Sequence, residues 1–185
     1  MLLTVGHGTL GIEQLTGLLV EAQVSSLVDV RTFPGSRRFP HFGRDALAGS
    51  VPAAGVGYEW RPALGGRRRP QPGSANVAWR NPSFQAYADY MASPPFLAAL
   101  DQLVADAGEG NVAVMCSESL WWRCHRRLIA DAAVLLRGRE VWHLFHDGRL
   151  QAHPPTPGAR VTPEGVLVYD LGAVPTQPHR AGPTA

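Results

Sequence analysis

Lysine is missing from this chain: all 17 of its basic residues are arginine. Without an ε-amino group, Schiff-base chemistry, a lysine general base and a P-loop lysine are excluded. Arginine still supports bidentate recognition of phosphate or carboxylate. Cysteine is scarce, with Cys116 and Cys124 the 2 in the chain. So few suggest reduced thiols and not a disulfide framework. Long apolar runs are lacking as well. None approaches the roughly 20 residues needed to cross a bilayer, so no membrane association is expected. The stretch Met1–His7 has no basic flank and turns polar too early for a secretory signal. A cytoplasmic location is the expectation. A large excess of one charge is also absent. The net +2 is too mild to demand a nucleic-acid partner by itself.

What remains is a chain of 185 residues, 45% of them hydrophobic, enough for one sizeable core and too few for two. Short apolar runs at 2–6, 26–31, 112–116 and 140–145 read as buried strands, with a weaker candidate at 58–60. Helical spacing marks 11–23, a short stretch at 44–50, and 83–107, where Pro94-Pro95 breaks the pattern in two. A further helix follows the 112–116 strand and ends at Gly138. Strands alternating with helices over short connections predict an α/β fold. The expected form is a single three-layer domain, with a mostly parallel sheet and helices on both faces. Residues 1–172 are assigned to it, including a small irregular C-terminal extension, and 173–185 to a flexible tail. Right-handed crossovers then place the carboxyl ends of the parallel strands along one edge, where ligands bind in such folds.

Chemistry-bearing residues gather at those strand ends. His7 follows the first strand, Asp29 and Arg31 close the second, and Cys116 closes the 112–116 strand. Glu118, Arg123, Cys124, His125, Arg126 and Arg127 crowd the strand-to-helix junction after it. Glu118 is the candidate general acid/base, with His125 or Asp29 assisting. Arg31, Arg37 and Arg126 are the expected anion ligands, the last beside a helix N-terminus. His7 and Cys124 complete the expected substrate contacts. Cys116 lines the pocket, and a nucleophilic role stays open because a helix N-terminus lowers a thiol pKa. The phosphatase signature C-x5-R is narrowly missed: the sixth residue after Cys116 is Trp122, and Arg123 comes one later. The spacing C-x7-C-H fits no usual zinc pattern, so neither a metal site nor a bound cofactor is expected.

Thr4-Val5-Gly6-His7-Gly8-Thr9, Leu27 through Arg37, Leu64-Gly65-Gly66, Met115-Cys116-Ser117-Glu118, Cys124-His125-Arg126 and Val141-Trp142-His143 together resemble the family called domain of unknown function 488. His153 through Arg160 is similar to that family's usual ending. The resemblance implies a compact α/β domain of bacterial type, and an association of some members with nucleic acids. It supplies no reaction. The chain departs from the family pattern at Gly8, where serine is usual, so any hydroxyl role at that turn falls to Thr9. Two functions follow as expectations. One is an enzyme acting on a phosphate-bearing substrate, a nucleotide or nucleic-acid component. The other is a non-catalytic nucleic-acid or nucleotide binding module, its basic surface formed by the arginines of 61–80 and 123–127.

Overall fold

The computed structural model describes residues 1–35 and 38–170. Ser36, Arg37 and the residues from 171 onward, including the expected tail, lie outside it. The elements are β1 (Leu2–Gly6), α1 (Ile12–Glu21), β2 (Ser26–Asp29), α2 (Arg44–Ala53), β3 (Gly57–Trp60), α3 (Pro82–Tyr90), α4 (Pro94–Glu109), β4 (Val112–Cys116), α5 (Arg126–Arg137), β5 (Val141–Leu144), β6 (Leu150–Ala152), β7 (Ala159–Val161) and β8 (Leu167–Tyr169). The six-stranded sheet runs β3-β2-β4-β1-β5-β6. All its pairings are parallel except β5 with β6.

The inner strands are buried on both faces, so they read as continuous apolar runs and not as alternating ones. Their side chains still separate by parity. Leu3, Val5, Leu27, Ala113 and Met115 meet Leu15 and Leu19 of α1 and Leu47 and Val51 of α2. Leu2, Val28, Val112 and Val114 meet α3, α4 and α5 through Tyr87, Phe96, Leu100 and Ile129. Three layers result. The break at Pro94-Pro95 is real: α3 ends at Tyr90 and α4 opens on Pro94. Proline suits a first helical turn, where its missing N–H would have no intrahelical acceptor. Asn81 caps α3 by accepting from the Ser83 N–H at 2.9 Å. The weaker expectations also formed, as α2 and β3. Both ran slightly longer or earlier than the pattern suggested, because tertiary packing extends short elements.

The strand order reverses direction inside the sheet. Connections from β1 and β2 run toward the β3 edge through α1 and α2. Those from β3 and β4 return through α3, α4 and α5 on the other face. The loop leaving β4 therefore parts from the loops leaving its neighbours β1 and β2, opening a crevice at their carboxyl ends.

The small C-terminal extension carries a hairpin. β7 and β8 form an antiparallel pair whose Leu167 and Tyr169 join the core beneath α3, α4 and α5. A buried polar chain fastens it. Asp131 of α5 accepts from His153 Nε2 at 2.9 Å, the Tyr169 hydroxyl at 3.0 Å and the Thr156 N–H at 2.8 Å. The other His153 nitrogen meets His143 Nε2 at 3.0 Å, and His143 Nδ1 meets the Thr4 hydroxyl at 2.6 Å. With the Thr4 hydroxyl, His143 Nε2 and His153 Nε2 donating in turn, every donor along this line has an acceptor. His143 also stacks on Trp121, ring centroids 4.0 Å apart.

Burial, helped by His153 and Arg126, lowers the His143 pKa from 6.5 to about 2. In the unfolded chain the same imidazole takes up a proton near pH 6.5. The unfolded state thus binds more protons below that pH, and stability must fall on acidification through this range. His143 alone should contribute a loss of about 1.4 kcal/mol per pH unit between pH 6 and 4. Urea midpoints measured from pH 7.5 to 4.5 test this. His143→Gln should be less stable at pH 7.5 yet show a flatter acid slope; an unchanged slope would refute the assignment.

Candidate active site

The crevice is a cavity of about 490 Å³, within the range of small-molecule sites. Its lining comes from five places: His7 and Gly8 after β1, Arg31, Thr32, Phe33, Gly35 and Phe39 after β2, Gly66 and Arg67, Ser83 and Phe84 at the start of α3, and the β4–α5 junction. The junction contributes Cys116, Ser117, Glu118, Arg123, Cys124 and His125.

The junction is held where β1 ends. His7 N–H donates to the Cys116 carbonyl and Gly8 N–H to the Ser117 carbonyl, each at 3.0 Å. These bonds prolong the β1–β4 ladder past the strands. The chain then crosses so close to Gly6 that an added Cβ there would lie 1.9 Å from the Glu118 carbonyl oxygen. Only glycine fits. Arg126 secures the crossing from below. Its guanidinium is buried and donates to the Glu118 and Ser119 carbonyls. Arg126 does not line the cavity, nor does it pair with the Glu118 carboxylate; its Nη2 serves the main chain, while its Nε is buried without a hydrogen-bond partner.

Arg31 reaches the cavity from behind a second anchor. Asp29 is fully buried and takes Arg31 Nε at 2.8 Å and Nη2 at 2.6 Å, a bidentate pair. Tyr58 adds its hydroxyl to Asp29 at 3.0 Å. Burial and the Asp29 charge push that phenol above its ordinary pKa, so it remains a donor. Asp29 thus stands outside the cavity and orients Arg31. The remaining Arg31 nitrogen, Nη1, lies 3.3 Å from His7 Nε2. His7 Nδ1 lies 3.1 Å from the Gly8 carbonyl. Since guanidinium can only donate and a carbonyl only accept, the His7 proton sits on Nδ1. Burial and the adjacent Arg31 charge lower its pKa to about 4, keeping the ring neutral.

Cys116, Cys124 and His125 form the floor. His125 Nδ1 is 3.6 Å from Cys124 Sγ and 3.9 Å from Cys116 Sγ. Neither cysteine is in a disulfide. The hydrogen bond from the Cys116 thiol lowers Cys124 to about 6 despite burial, with the Arg126 charge adding to it. The same bond and burial raise Cys116 to about 12. Of the two thiols, Cys124 is thus the more acidic. Tyr87 packs edge-on to the His125 ring at 5.2 Å between centroids. Glu118 sits at the exposed rim, one carboxylate oxygen 3.4 Å from the Leu120 N–H.

Of the residues expected from sequence, His7, Arg31, Cys116, Glu118, Cys124 and His125 line one cavity. Asp29 and Arg126 lie behind it as supports. Arg37 lies outside the described residues. Sequence reasoning placed Arg67 and Arg123 only on the basic surface of the binding-module alternative, and gave Phe33 no role. Arg123 carried a signal, since it shares the junction with Glu118. Arg67 and Phe33 carried little, because loops give no periodicity from which to infer direction.

A crevice with perturbed titrating groups at a strand-order reversal is where α/β proteins as a class place ligands, which makes it the candidate site of this one. The chain belongs to the family described as Domain of unknown function DUF488, whose model matches residues 11–133. No curated protein and no solved structure matches it significantly.

The anchor behind Arg31 can be tested by stability. Asp29→Ala leaves a buried guanidinium unpaired and should cost about 3–5 kcal/mol. Tyr58→Phe removes a single hydrogen bond and should cost about 1 kcal/mol. Denaturant unfolding of both variants checks the ratio; comparable losses would mean that the ion pair is not the anchor.

Proposed function

We propose that this cavity is the active site of an enzyme acting on a phosphate-bearing substrate, a nucleotide or nucleic-acid component. One observation carries the reading. Three guanidiniums, those of Arg31, Arg67 and Arg123, line the cavity, and Glu118 is the single carboxylate among its described lining residues. With Arg31 already paired to Asp29, Arg67 and Arg123 still outnumber the Glu118 carboxylate, and an excess of positive charge in a concave site favours an anion. Planar guanidinium suits phosphate oxygens. Arg31 is held in place by Asp29, so binding an anion there costs little further ordering.

The rest of the lining fits a substrate with an aromatic part. Phe33 is 70% exposed at the cavity, with the Arg67 guanidinium 5.7 Å from its ring centre. A base can stack on such a face, adding affinity that inorganic phosphate cannot gain.

Glu118 takes the proton-transfer role. It removes a proton from an attacking water or hydroxyl and returns it to the leaving oxygen. The neutral His7 offers no positive charge to the site, so the anion clamp is arginine alone. The binding-module alternative draws less support from the loop 61–80. Arg61 pairs with Glu59 and Asp106. Arg68 packs 3.4 Å above the Tyr90 ring and donates to the carbonyls of Pro62, Ala63 and Gly65.

A panel of nucleoside mono-, di- and triphosphates, screened by thermal shift at low salt, should contain compounds that raise the melting temperature. Arg123→Gln should weaken their binding about ten- to a hundredfold, the worth of one charge-assisted hydrogen bond. Glu118→Gln should cut turnover of the bound compound about 10²–10⁴-fold with affinity nearly unchanged. Full turnover in Glu118→Gln overturns the proton-transfer role. Tight binding of long single strands that collapses steeply with salt, without turnover, would favour the module instead.

A further inference from the structure

We propose that Cys116, Cys124 and His125 bind a thiophilic metal ion, with zinc the ion best suited, and leave its fourth coordination position open to the cavity. The two sulfurs and the imidazole Nδ1 all lie within 4.8 Å of one another. A tetrahedral zinc with sulfur at about 2.3 Å and nitrogen at about 2.0–2.1 Å needs sulfur-to-nitrogen separations of about 3.6 Å. The observed values are 3.6 and 3.9 Å. The sulfur–nitrogen pairs need contraction by a few tenths of an ångström at most. The two sulfurs, within 4.8 Å of one another, must come to about 3.8 Å, a closure of up to about 1 Å by rotation of the cysteine side chains.

The donors arrive from separate elements. Cys116 ends β4, Cys124 follows the single 3-10 turn Trp121–Arg123, and His125 caps α5. That turn makes a site from a spacing that matches no zinc pattern. It folds the seven intervening residues back, so that the second thiol and the imidazole return to the first. The donor set is soft. Two thiols and an imidazole with no carboxylate among them select zinc or a soft transition ion over magnesium or calcium. Both thiols are buried, which protects a metal–sulfur bond from water. All three residues also line the cavity, so a bound ion has one side facing it. Three protein ligands with one open position is the pattern of zinc sites that act on a substrate or water. On binding, the sulfur–metal bonds form as each remaining thiol proton leaves to solvent.

Gly66 provides a control. A Cβ at Gly66 would lie 2.5 Å from His125 Nδ1 and 2.7 Å from its Cγ. Gly66→Ala therefore displaces the imidazole while leaving all three donors in the chain.

The inference is independent of the anionic-substrate reading, since neither Glu118 nor the arginine clamp belongs to the donor set. The test is metal uptake by the full chain, reduced and stripped with chelator, then titrated with Zn²⁺ or Co²⁺. We expect one equivalent of zinc by elemental analysis after gel filtration. Zn²⁺, unlike Mg²⁺, should raise the melting temperature. Co²⁺ should produce thiolate-to-metal charge-transfer absorption and four-coordinate visible bands. Cys124→Ser and Cys116→Ser should abolish the absorption, and Gly66→Ala should lower zinc affinity about 10–100-fold. Circular dichroism of each variant separates lost ligation from lost folding. Zinc bound equally well by a folded Cys116→Ser/Cys124→Ser double variant overturns the proposal. So does a reduced wild-type chain that takes up no zinc, whether or not its thiols can be joined as a disulfide. Loss of nucleotide binding with zinc uptake intact would strike only the anionic-substrate reading.

Discussion

The β4–α5 junction must cross the end of β1, and the structure depends on how that crossing is held. Two main-chain hydrogen bonds extend the parallel ladder from β1 onto the junction. The missing side chain of Gly6 lets the backbones touch. Arg126 then closes the carbonyls of Glu118 and Ser119 from inside the core. The loop carbonyls supply the acceptors of this buried guanidinium at Nη2, so the loop and the arginine hold each other in place, although Nε is buried without a partner. Cys116, Glu118, Cys124 and His125 therefore stand on a rigid segment although no regular element spans it. A site needs such support to keep its groups within a fraction of an ångström.

The same logic recurs twice, with charge as the organising element. Asp29 is buried at the end of β2 and would be unstable alone. Arg31, Tyr58 and the Arg31 N–H satisfy it. The bidentate pairing turns the guanidinium so that its third nitrogen faces His7 and the cavity. On the far side of the sheet's central strands, Asp131 gathers His153, Thr156 and Tyr169. This binds the C-terminal hairpin to α5 with polar groups, where the exposed edges of β7 offer little apolar area. Buried carboxylates thus set geometry in this fold, and the exposed Glu118 is left available for chemistry.

Much of the fold was legible in the chain. Apolar runs of four to six residues marked the central strands because both their faces are covered. Pro94 and Gly138 marked helix limits, since each restricts or permits a particular backbone conformation. The site was legible in part. Reactive residue types at strand ends pointed to one edge, and six of those expected line one cavity. Asp29 and Arg126 show why the rest was not. A carboxylate or guanidinium at a strand or helix end has the same sequence signature whether it faces a ligand or the protein interior.

By itself the sequence determined the layers, the strand ends that carry chemistry, and the exclusion of every lysine-based mechanism. Those are consequences of local periodicity and of side-chain type. Tertiary structure decided which charged groups face the cavity and which are consumed as supports. It also decided that His143, His153 and Asp131 form one chain, and that Cys124 and His125 return to Cys116. The reason is that such facts depend on contacts between residues far apart in the chain, settled only when the loop crosses β1 and the hairpin packs on α5.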